Sequence, residues 1–350
     1  METGQGSTAA VGAGVGGTGL SRRSLVKGIG GVGLALPLLG GLGLGAADAA
    51  DDPHAGGQPM DMEPNGPVKP FTLYDPVLKP VQAGTKHFTL TAGDATLYVA
   101  QGVPMAAWTF DGTIPGRTLR VVEGDTVNVT VRVDPKATTA HSVDFHSAKT
   151  APDKNYKTVL PGKEYAWSFV AQRPGAYMYH CGTAPALMHI GAGMYGAMIV
   201  DPKAGWSRAQ ELIFVQSEFY LKDGEHGIKV VDYAKMMGSG HDMDYCAFNG
   251  YANQYVEHPI KVEVKTPIRI FVVNAGPNVW TSFHIVGTIF DRVLVNGSPK
   301  NQLFDLQSVS IGPGDAACVE FTLDEPGTYA AVNHSFGHAS HGAVALLQAS

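Results

Sequence analysis

The sequence predicts an all-β protein made of two β-sandwich domains in tandem, and three observations lead to this prediction. Valine alternates strictly with polar residues within residues 125–133, which is typical of a strand with one buried face. Residues 260–265 repeat that alternation in the second half of the chain. Turn residues punctuate both halves, and no long segment of residues 71–350 keeps the apolar period of a helix. Only residues around 233–237 are expected to form a short helix.

An internal repeat indicates that the two halves share one architecture. The turn and aromatic positions of residues 161–177 recur with the same spacing in residues 313–329, as Pro161 and Pro313, Phe169 and Phe321, and Tyr177 and Tyr329. Residues 110–112 (Phe-Asp-Gly) are echoed by residues 248–250 (Phe-Asn-Gly). Two homologous domains follow, which we place at residues 71–204 and 205–350.

Composition narrows the class of protein. The 350 residues are 44% hydrophobic and 16% charged, which suits two globular domains. The net charge of -6 and the lack of a long basic run argue against a nucleic-acid partner. Of the three cysteines, Cys246 and Cys318 have no neighbouring histidine and are expected to be buried core thiols. Cys181 is left to explain.

The N-terminus carries the pattern of a twin-arginine export signal, predicted over residues 1–50. Arg22 and Arg23 precede an apolar, glycine-rich run at residues 28–44, which is so short that a cleaved signal is favoured over a retained anchor. Residues 51–70 are expected to form a flexible leader, because Gly, Pro, Asp and Met dominate their composition. The mature protein is therefore expected in the periplasm or otherwise outside the cytoplasm, with no membrane span.

Four residues form the ligand pattern of a metal site. Cys181, His189 and Met194 follow one another with seven and four residues between them, a spacing that one loop between two strands can close around a metal. With His141 they supply a thiolate, two imidazoles and a thioether. This is the ligand set of type 1, or blue, copper centres, which transfer electrons.

Strand geometry predicts a second set of ligands. Because consecutive side chains of a strand point to opposite faces, His180 must face away from Cys181. If residues 141–146 are also extended, His141 joins Cys181 while His146 joins His180 on the opposite face. Two metal sites connected by one peptide unit result, and an electron would pass from the first through Cys181 and His180 to the second.

The second site needs a third imidazole, since a catalytic metal usually has three protein ligands and one open position. His334 offers it, just after the strand that corresponds to the one carrying Cys181. Aligning the repeat without gaps puts Asn333 at the cysteine position, so the second domain is expected to have lost the type 1 site. His338 and His341 follow at helical spacing and are interpreted as exposed polar residues that close the domain, in preference to a further metal site.

At these residues the chain resembles the copper-containing nitrite reductases, whose subunits consist of two cupredoxin-like Greek-key β-sandwich domains. The resemblance covers about residues 71–350. It implies a homotrimer with one type 1 and one type 2 copper per subunit, which reduces nitrite to nitric oxide and water in denitrification. A small cupredoxin or cytochrome c would donate the electron. The implied ligands are His141, Cys181, His189 and Met194 for type 1 copper, and His146, His180 and His334 of the partner subunit for type 2 copper.

The resemblance also assigns residues to catalysis. The catalytic aspartate and histidine of the family match Asp144 and His284, and Val286 stands where the family has an aliphatic residue over the substrate. Asp144 has the strand parity of His146, so it should lie on the type 2 face, where nitrite reduction consumes two protons. The alternative for Asp144 is a structural carboxylate that orients a ligand histidine, and the alternative for His284 is a core histidine without a catalytic role. Ser142 departs from the asparagine that is usual beside the first ligand.

Two other functions stay open. A two-domain multicopper oxidase would reduce oxygen at a trinuclear copper cluster. In the known families the ligands of that cluster come from four His-x-His pairs. The sequence contains no such pair, and Gly182 follows Cys181 where a histidine would connect the two centres. A non-enzymatic copper protein that transfers electrons would use the type 1 site alone. It would keep its colour but show no reoxidation by nitrite.

Overall fold

Strands dominate residues 62–350, the part of the chain that the computed structural model describes. The predicted export signal and residues 51–61 of the predicted leader lie outside the described residues. The strands are β1 (Lys86–Ala100), β2 (Val103–Phe110), β3 (Gly116–Val122), β4 (Thr126–Val133), β5 (Asp144–Phe145), β6 (Glu164–Val170), β7 (Gly175–His180), β8 (Tyr195–Asp201), β9 (Gln210–Phe219), β10 (Leu221–Asp223), β11 (Lys229–Val231), β12 (Tyr245–Phe248), β13 (His258–Val262), β14 (Ile268–Gly276), β15 (Thr281–Ile285), β16 (Phe290–Val295), β17 (Gln302–Leu306), β18 (Ser308–Ile311), β19 (Ala316–Phe321), β20 (Gly327–Asn333) and β21 (Val344–Ala349). The helices are short: α1 (Pro152–Asn155), α2 (Ala186–Gly191), α3 (Tyr233–Met236), α4 (Gln254–Glu257) and α5 (Phe336–Ser340).

Each half of the described chain builds two sheets. The first half forms the orders β10-β11-β2-β1-β4-β6 and β3-β8-β7-β5, and the second half forms β12-β9-β14-β19-β16-β17 and β13-β21-β20-β15-β18. The predicted all-β class is confirmed. Strands β10 and β11 lie beyond residue 204 in the sequence yet extend a sheet of the first half, where Lys229 pairs with Met105. The domain boundary at residues 204 and 205 stays a prediction.

The two strands read from the alternating pattern are present. In β4 the side chains of Val127, Val129, Val131 and Val133 are all buried, as expected for a strand with one face on the core. In β13 Ile260 and Val262 are buried. Val264 lies past the end of that strand, because the backbone turns at Lys265 with φ 54°.

The repeated turns after β2 and β12 are alike in atomic detail. Asp111 and Asn249 both adopt a left-handed backbone, with φ 56° and 57°. The Asp111 carboxylate accepts a hydrogen bond from the Thr91 N–H at 2.8 Å, and the Asn249 amide oxygen accepts one from the Val215 N–H at 2.7 Å. Asx residues tolerate this conformation, and here each side chain connects its turn to a neighbouring strand, β1 or β9. The repeat therefore reflects one structure used twice.

A buried apolar layer joins the two halves. Met178 of β7 and Ile199 of β8 belong to one fully enclosed cluster with Val215 of β9 and Phe271 of β14. Burial of each such side chain contributes roughly 1.5–3 kcal/mol. This layer fixes β7, whose last residue is His180.

Short helices surround the end of β7. Helix α3 confirms the predicted helix near residue 233, and Asp232 caps it by accepting a hydrogen bond from the Lys235 N–H at 2.9 Å. Met236 of α3 packs so closely on α2 that a Cβ atom at Gly191 would lie 2.5 Å from its sulfur. Within residues 62–350, no helix is long and apolar enough to cross a membrane.

Candidate metal centres

The loop between β7 and β8 is closed by its own backbone. The Cys181 N–H donates to the Met194 carbonyl at 3.0 Å, and the Met194 N–H donates to the His189 carbonyl at 3.1 Å. Helix α2 carries His189 within this loop. The three residues that the spacing singled out are therefore held together before any side chain makes a contact.

The first predicted ligand cluster converges in a closed pocket. His141 Nδ1 lies 3.2 Å from His189 Nδ1, and Cys181 Sγ lies 3.3 Å from His189 Nδ1. These side chains and that of Met194 have 0% exposure. Trp108 packs on both imidazoles, with ring centroids at 5.7 and 4.6 Å. Water is thereby excluded from the cluster.

The charge states in this pocket suit metal ligands. Burial lowers the pKa of His189 to about 3, so its imidazole is neutral and keeps a lone pair. Burial raises the pKa of the Cys181 thiol. The hydrogen bond and charge of His141 and the N–H groups of Ser142 and Thr183 lower it by more, so the net pKa lies below its ordinary value. Thiolate and neutral imidazole are the forms that bind a metal.

The second cluster lies on the opposite side of the same peptide unit. His180 Nδ1–H donates to the Cys181 carbonyl at 3.0 Å, and His146 Nδ1–H donates to the Gly314 carbonyl at 3.1 Å. These bonds leave the proton off Nε2 in both rings. The two Nε2 atoms lie 3.1 Å apart, so two lone pairs meet where a cation would bind them both.

Asp144 belongs to this second cluster. Its Oδ2 lies 3.8 Å from His180 Nε2, and the ligand atoms of Asp144, His146 and His180 all lie within 4.8 Å of one another. The extended geometry assumed from the sequence is local, since β5 comprises only Asp144 and Phe145 and His146 begins a turn. The two faces nevertheless separate His141 from His146 as parity predicts.

The remaining predicted residues lie together in the second half. The rings of His284 and His334 are 5.4 Å apart between centroids, and the His334 N–H donates to the Ser282 carbonyl at 2.7 Å. His334 is exposed, and Val286, two residues after His284, is 49% exposed. Among the described residues, the group that contains His146 and His180 does not include His334. One chain thus presents two partial sites.

Three contacts at the clusters had no signal that pointed to them in the sequence. The Ser142 N–H donates to Cys181 Sγ at 3.3 Å, and the Gly182 N–H donates to Ser142 Oγ at 3.1 Å. Gly314, a residue of the second half, orients His146 through its carbonyl. A backbone group takes part in each contact, so the sequence does not reveal which residue supplies it. Ser142 stood out only as a departure from the family pattern.

The donor atoms fit copper. A cysteine sulfur, two imidazoles and a thioether are soft and borderline ligands, which favour copper in an electron-transfer centre. The second cluster offers imidazole nitrogens, which also suit copper, at a partly exposed position that a substrate can reach.

Three comparisons relate the chain to known proteins. The family description "Multicopper oxidase" matches residues 91–205. A copper-containing nitrite reductase of Neisseria meningitidis serogroup B is 39% identical over 261 residues, which cover 73% of this chain. The chain spans 66% of the length of that relative. The match to the corresponding serogroup A protein has the same 39% identity and covers 67% of its length.

Solved structures agree. A copper nitrite reductase of Nitrosomonas europaea superposes with a TM-score of 0.70 and 36% identity, over 76% of this chain and 94% of the other. A crystal structure of a multicopper oxidase gives a TM-score of 0.67 with 24% identity over 76% of this chain and 89% of the other. This second likeness concerns the fold alone.

Proposed function

We propose, from the premise that the chain belongs to the copper-containing nitrite reductase family, that it reduces nitrite to nitric oxide and water. The observation that carries the proposal is the division of labour at one peptide unit. Cys181 Sγ faces His189 at 3.3 Å, while His180 Nε2 faces His146 at 3.1 Å on the other side. An electron-transfer centre and a reaction centre are then joined by the shortest covalent path that adjacent residues allow.

Copper is the cofactor of the proposed reaction, with one type 1 and one type 2 ion per subunit. When bound, the type 1 ion exchanges single electrons and the type 2 ion provides a Lewis-acidic position for nitrite. His141, Cys181, His189 and Met194 would hold the first. His146 and His180 would hold the second together with His334 of the partner subunit.

A homotrimer follows from the two partial sites. His146 and His180 supply two imidazoles, and a stable catalytic site needs a third. His146 and His334 are both exposed in the single chain, so each is accessible to another copy. A cyclic arrangement in which every subunit gives His334 to its neighbour completes three equivalent sites.

Asp144 and His284 are the proposed proton carriers. Reduction of nitrite consumes one electron and two protons and releases water, so groups that hold protons must lie beside the metal. The Asp144 carboxylate lies 3.8 Å from His180 Nε2, and His284 lies next to His334. Val286, which is half exposed two residues after His284, would cover the substrate as an apolar wall.

Export and an external electron donor complete the proposal. Residues 22 and 23 are the arginines of the predicted signal, so we place the mature protein outside the cytoplasm. The type 1 pocket is closed to solvent, which suits electron delivery by a small cupredoxin or cytochrome c that docks outside it.

The decisive test is anaerobic. The copper-loaded protein is reduced, nitrite is added, and reoxidation of the blue centre is followed optically while an electrode records nitric oxide. Prompt reoxidation with stoichiometric nitric oxide is the expected result. No response to nitrite together with reoxidation by oxygen would identify an oxidase, and no response to either would leave an electron-transfer protein.

A further inference from the structure

Asn333 occupies a fully buried position at the end of β20. Its Oδ1 accepts hydrogen bonds from the Ser282 N–H and the Ser335 N–H, both at 3.1 Å. Its Nδ2 donates to Gln216 Oε1 at 3.2 Å and faces His338 Nδ1 at 2.9 Å. One carboxamide therefore connects β15, β20 and the loop that follows β20.

The loop after β20 is built like the metal loop after β7. The Asn333 N–H donates to the Ala343 carbonyl at 3.2 Å, and the Ala343 N–H donates to the His338 carbonyl at 3.2 Å. The corresponding bonds of the first loop run from Cys181 to Met194 and from Met194 to His189. The pairs His180–Tyr195 and Val332–Val344 close the two loops, so the second is three residues shorter.

The side chains correspond as well. Asn333 Oδ1 accepts the Ser282 N–H in the way that Cys181 Sγ accepts the Ser142 N–H. His338, which the sequence suggested to be exposed, is buried to 9% exposure in the place of His189. For His338 that interpretation is wrong, because α5 turns its ring inward onto Asn333, whereas His341 is exposed as expected.

The hydrogen bonds of Asn333 determine which ring nitrogen of His338 carries the proton. Asn333 Oδ1 already accepts two N–H groups, so the amide presents an N–H to the ring and His338 Nδ1 accepts it. The proton of the neutral imidazole then lies on Nε2. An amide N–H satisfies the lone pair that, in the first domain, would meet a metal cation.

The carboxamide also fixes the two histidines of the second half. Ser282 lies two residues before His284, and Ser335 directly follows His334, so both bonded N–H groups flank these residues in the chain. The His334 N–H returns a bond to the Ser282 carbonyl at 2.7 Å. The two rings lie 5.4 Å apart between centroids, and His284 Nδ1 also bonds the Gln307 carbonyl at 2.5 Å.

We propose that Asn333 is a positioning residue for the type 2 copper site, which performs by hydrogen bonds in the second domain what Cys181 and a metal perform in the first. It presents His284 and His334 as a preformed half-site to the neighbouring copy. The inference rests on the proposed function, since it assigns His334 to that site.

A third metal site at His241, His338 and His341 does not compete with this proposal. The rings of His241 and His338 are stacked with centroids 6.3 Å apart. Because Nε2 of His338 carries the proton and Nδ1 accepts from Asn333, neither nitrogen offers a lone pair to a metal. Within residues 62–350, the groups of three ligand side chains whose atoms converge are the two clusters described above.

The first test measures copper. In the full-length protein with Asn333→Ala, the type 2 dissociation constant should rise about 10–100-fold, the usual cost of removing a group that orients a ligand. The type 2 EPR signal should broaden, while the visible spectrum of type 1 copper should not change. Asn249→Ala is the control, because Asn249 is equally buried and bonds Val215, Ile213 and Tyr255 away from the histidines. Equal loss in both variants, or no loss in Asn333→Ala, would overturn the inference.

The second test needs no copper and remains available if Asn333→Ala does not fold. ¹⁵N spectra of the histidine-labelled copper-free protein should show His338 in the Nε2–H form. Asn333→Asp keeps both bonds to N–H groups but removes the amide donor, so His338 should shift to donating from Nδ1 while type 2 affinity stays close to wild type. An Nδ1–H form in the wild type would refute the assignment. A wild type with this Nε2–H form but no second copper would refute the proposed function alone.

Discussion

The loops after β7 and β20 use the same backbone bonds around different chemistry. The first buries Cys181 Sγ and two imidazole nitrogens, with Sγ 3.3 Å and His141 Nδ1 3.2 Å from His189 Nδ1. The second buries an amide and one imidazole that satisfy each other. A buried polar cluster must find partners. The fold therefore accepts either a metal or a carboxamide at this position, and only the metal version can transfer an electron.

The correspondence extends to the residues proposed to carry protons. Asp144 pairs with His180 in the first half, and His284 pairs with Val332 in the second, each one position before the cysteine or its asparagine counterpart. Asp144 and His284 thus occupy the same place in two copies of one structure. A trimer that brings His334 to His146 would also bring these two groups to one substrate.

The largest effect is expected when the loop after β7 loses its cysteine. Cys181→Ala should abolish type 1 copper binding, the blue colour and nitrite turnover, because two imidazoles and a thioether hold copper poorly without the thiolate. The visible spectrum and turnover with a reduced donor are the measurements. Cys246→Ala and Cys318→Ala, which remove equally buried thiols outside both loops, should keep the colour. A blue Cys181→Ala protein would contradict the assignment.

A narrower change separates the two clusters. His146→Ala should remove type 2 copper and nitrite turnover but leave the blue chromophore, because His146 and His141 lie on opposite faces. EPR resolves the two coppers in one spectrum. His87→Ala, which alters an exposed histidine far along the first sheet, serves as the control. Bleaching of the blue colour by His146→Ala would show that the strand parity argument is wrong.

Proton delivery should respond less drastically than metal binding. Asp144→Asn should keep both coppers and lower nitrite turnover by about 10²–10⁴-fold, the range over which a positioned acid or base contributes. Copper content and steady-state nitric oxide formation are measured together. Asp153→Asn, in the exposed helix α1, provides the matched change. Unchanged turnover would return Asp144 to a structural role beside His180.

The sequence was sufficient for those parts that local chemistry determines. Alternation predicted β4, and the repeat predicted the paired sheets, because burial of one face leaves a period of two in the sequence. The candidate ligands Cys181, His189 and Met194 could be proposed from their spacing, since one loop holds all three. The resemblance to the nitrite reductases, which the comparisons confirm, supplied the proposed roles of His284 and Val286, which stay predictions.

The features that the sequence did not predict depend on backbone groups far away in the chain and on loop length. Gly314 orients His146 through a carbonyl 168 residues away, and no side chain announces it. Burial of His338 follows from a loop that is three residues shorter than its counterpart, so a gapless alignment places His341 at the position of His189 instead. Length changes inside a repeat move a residue from the surface to the core without altering its identity.

The last contrast concerns two carboxylates, one in each half, that bond the backbone three residues before His141 and before Thr281. Asp94 accepts hydrogen bonds from the Thr138 N–H and hydroxyl at 2.8 and 3.0 Å, three residues before His141. Glu218 accepts the Asn278 N–H at 2.6 Å, three residues before Thr281. Glu218 is 1% exposed, and burial raises its pKa to about 7 against the opposing effect of the Asn278 and Val279 N–H groups.

Glu218→Gln should therefore change stability in a pH-dependent way. The folded protein holds the Glu218 proton up to about pH 7, whereas the unfolded chain releases it near its ordinary pKa of 4.5. Below pH 4.5 the group costs nothing, and as pH rises to about 7 the wild type loses stability relative to Glu218→Gln, by at most about 3 kcal/mol. Urea unfolding of both proteins at pH 4.5, 6 and 7.5 measures the difference. If the stability difference between the two proteins does not widen with pH, Glu218 is already ionised in the folded protein. The second domain would then stabilise a buried charge at this position by hydrogen bonds, as it stabilises the buried amide of Asn333.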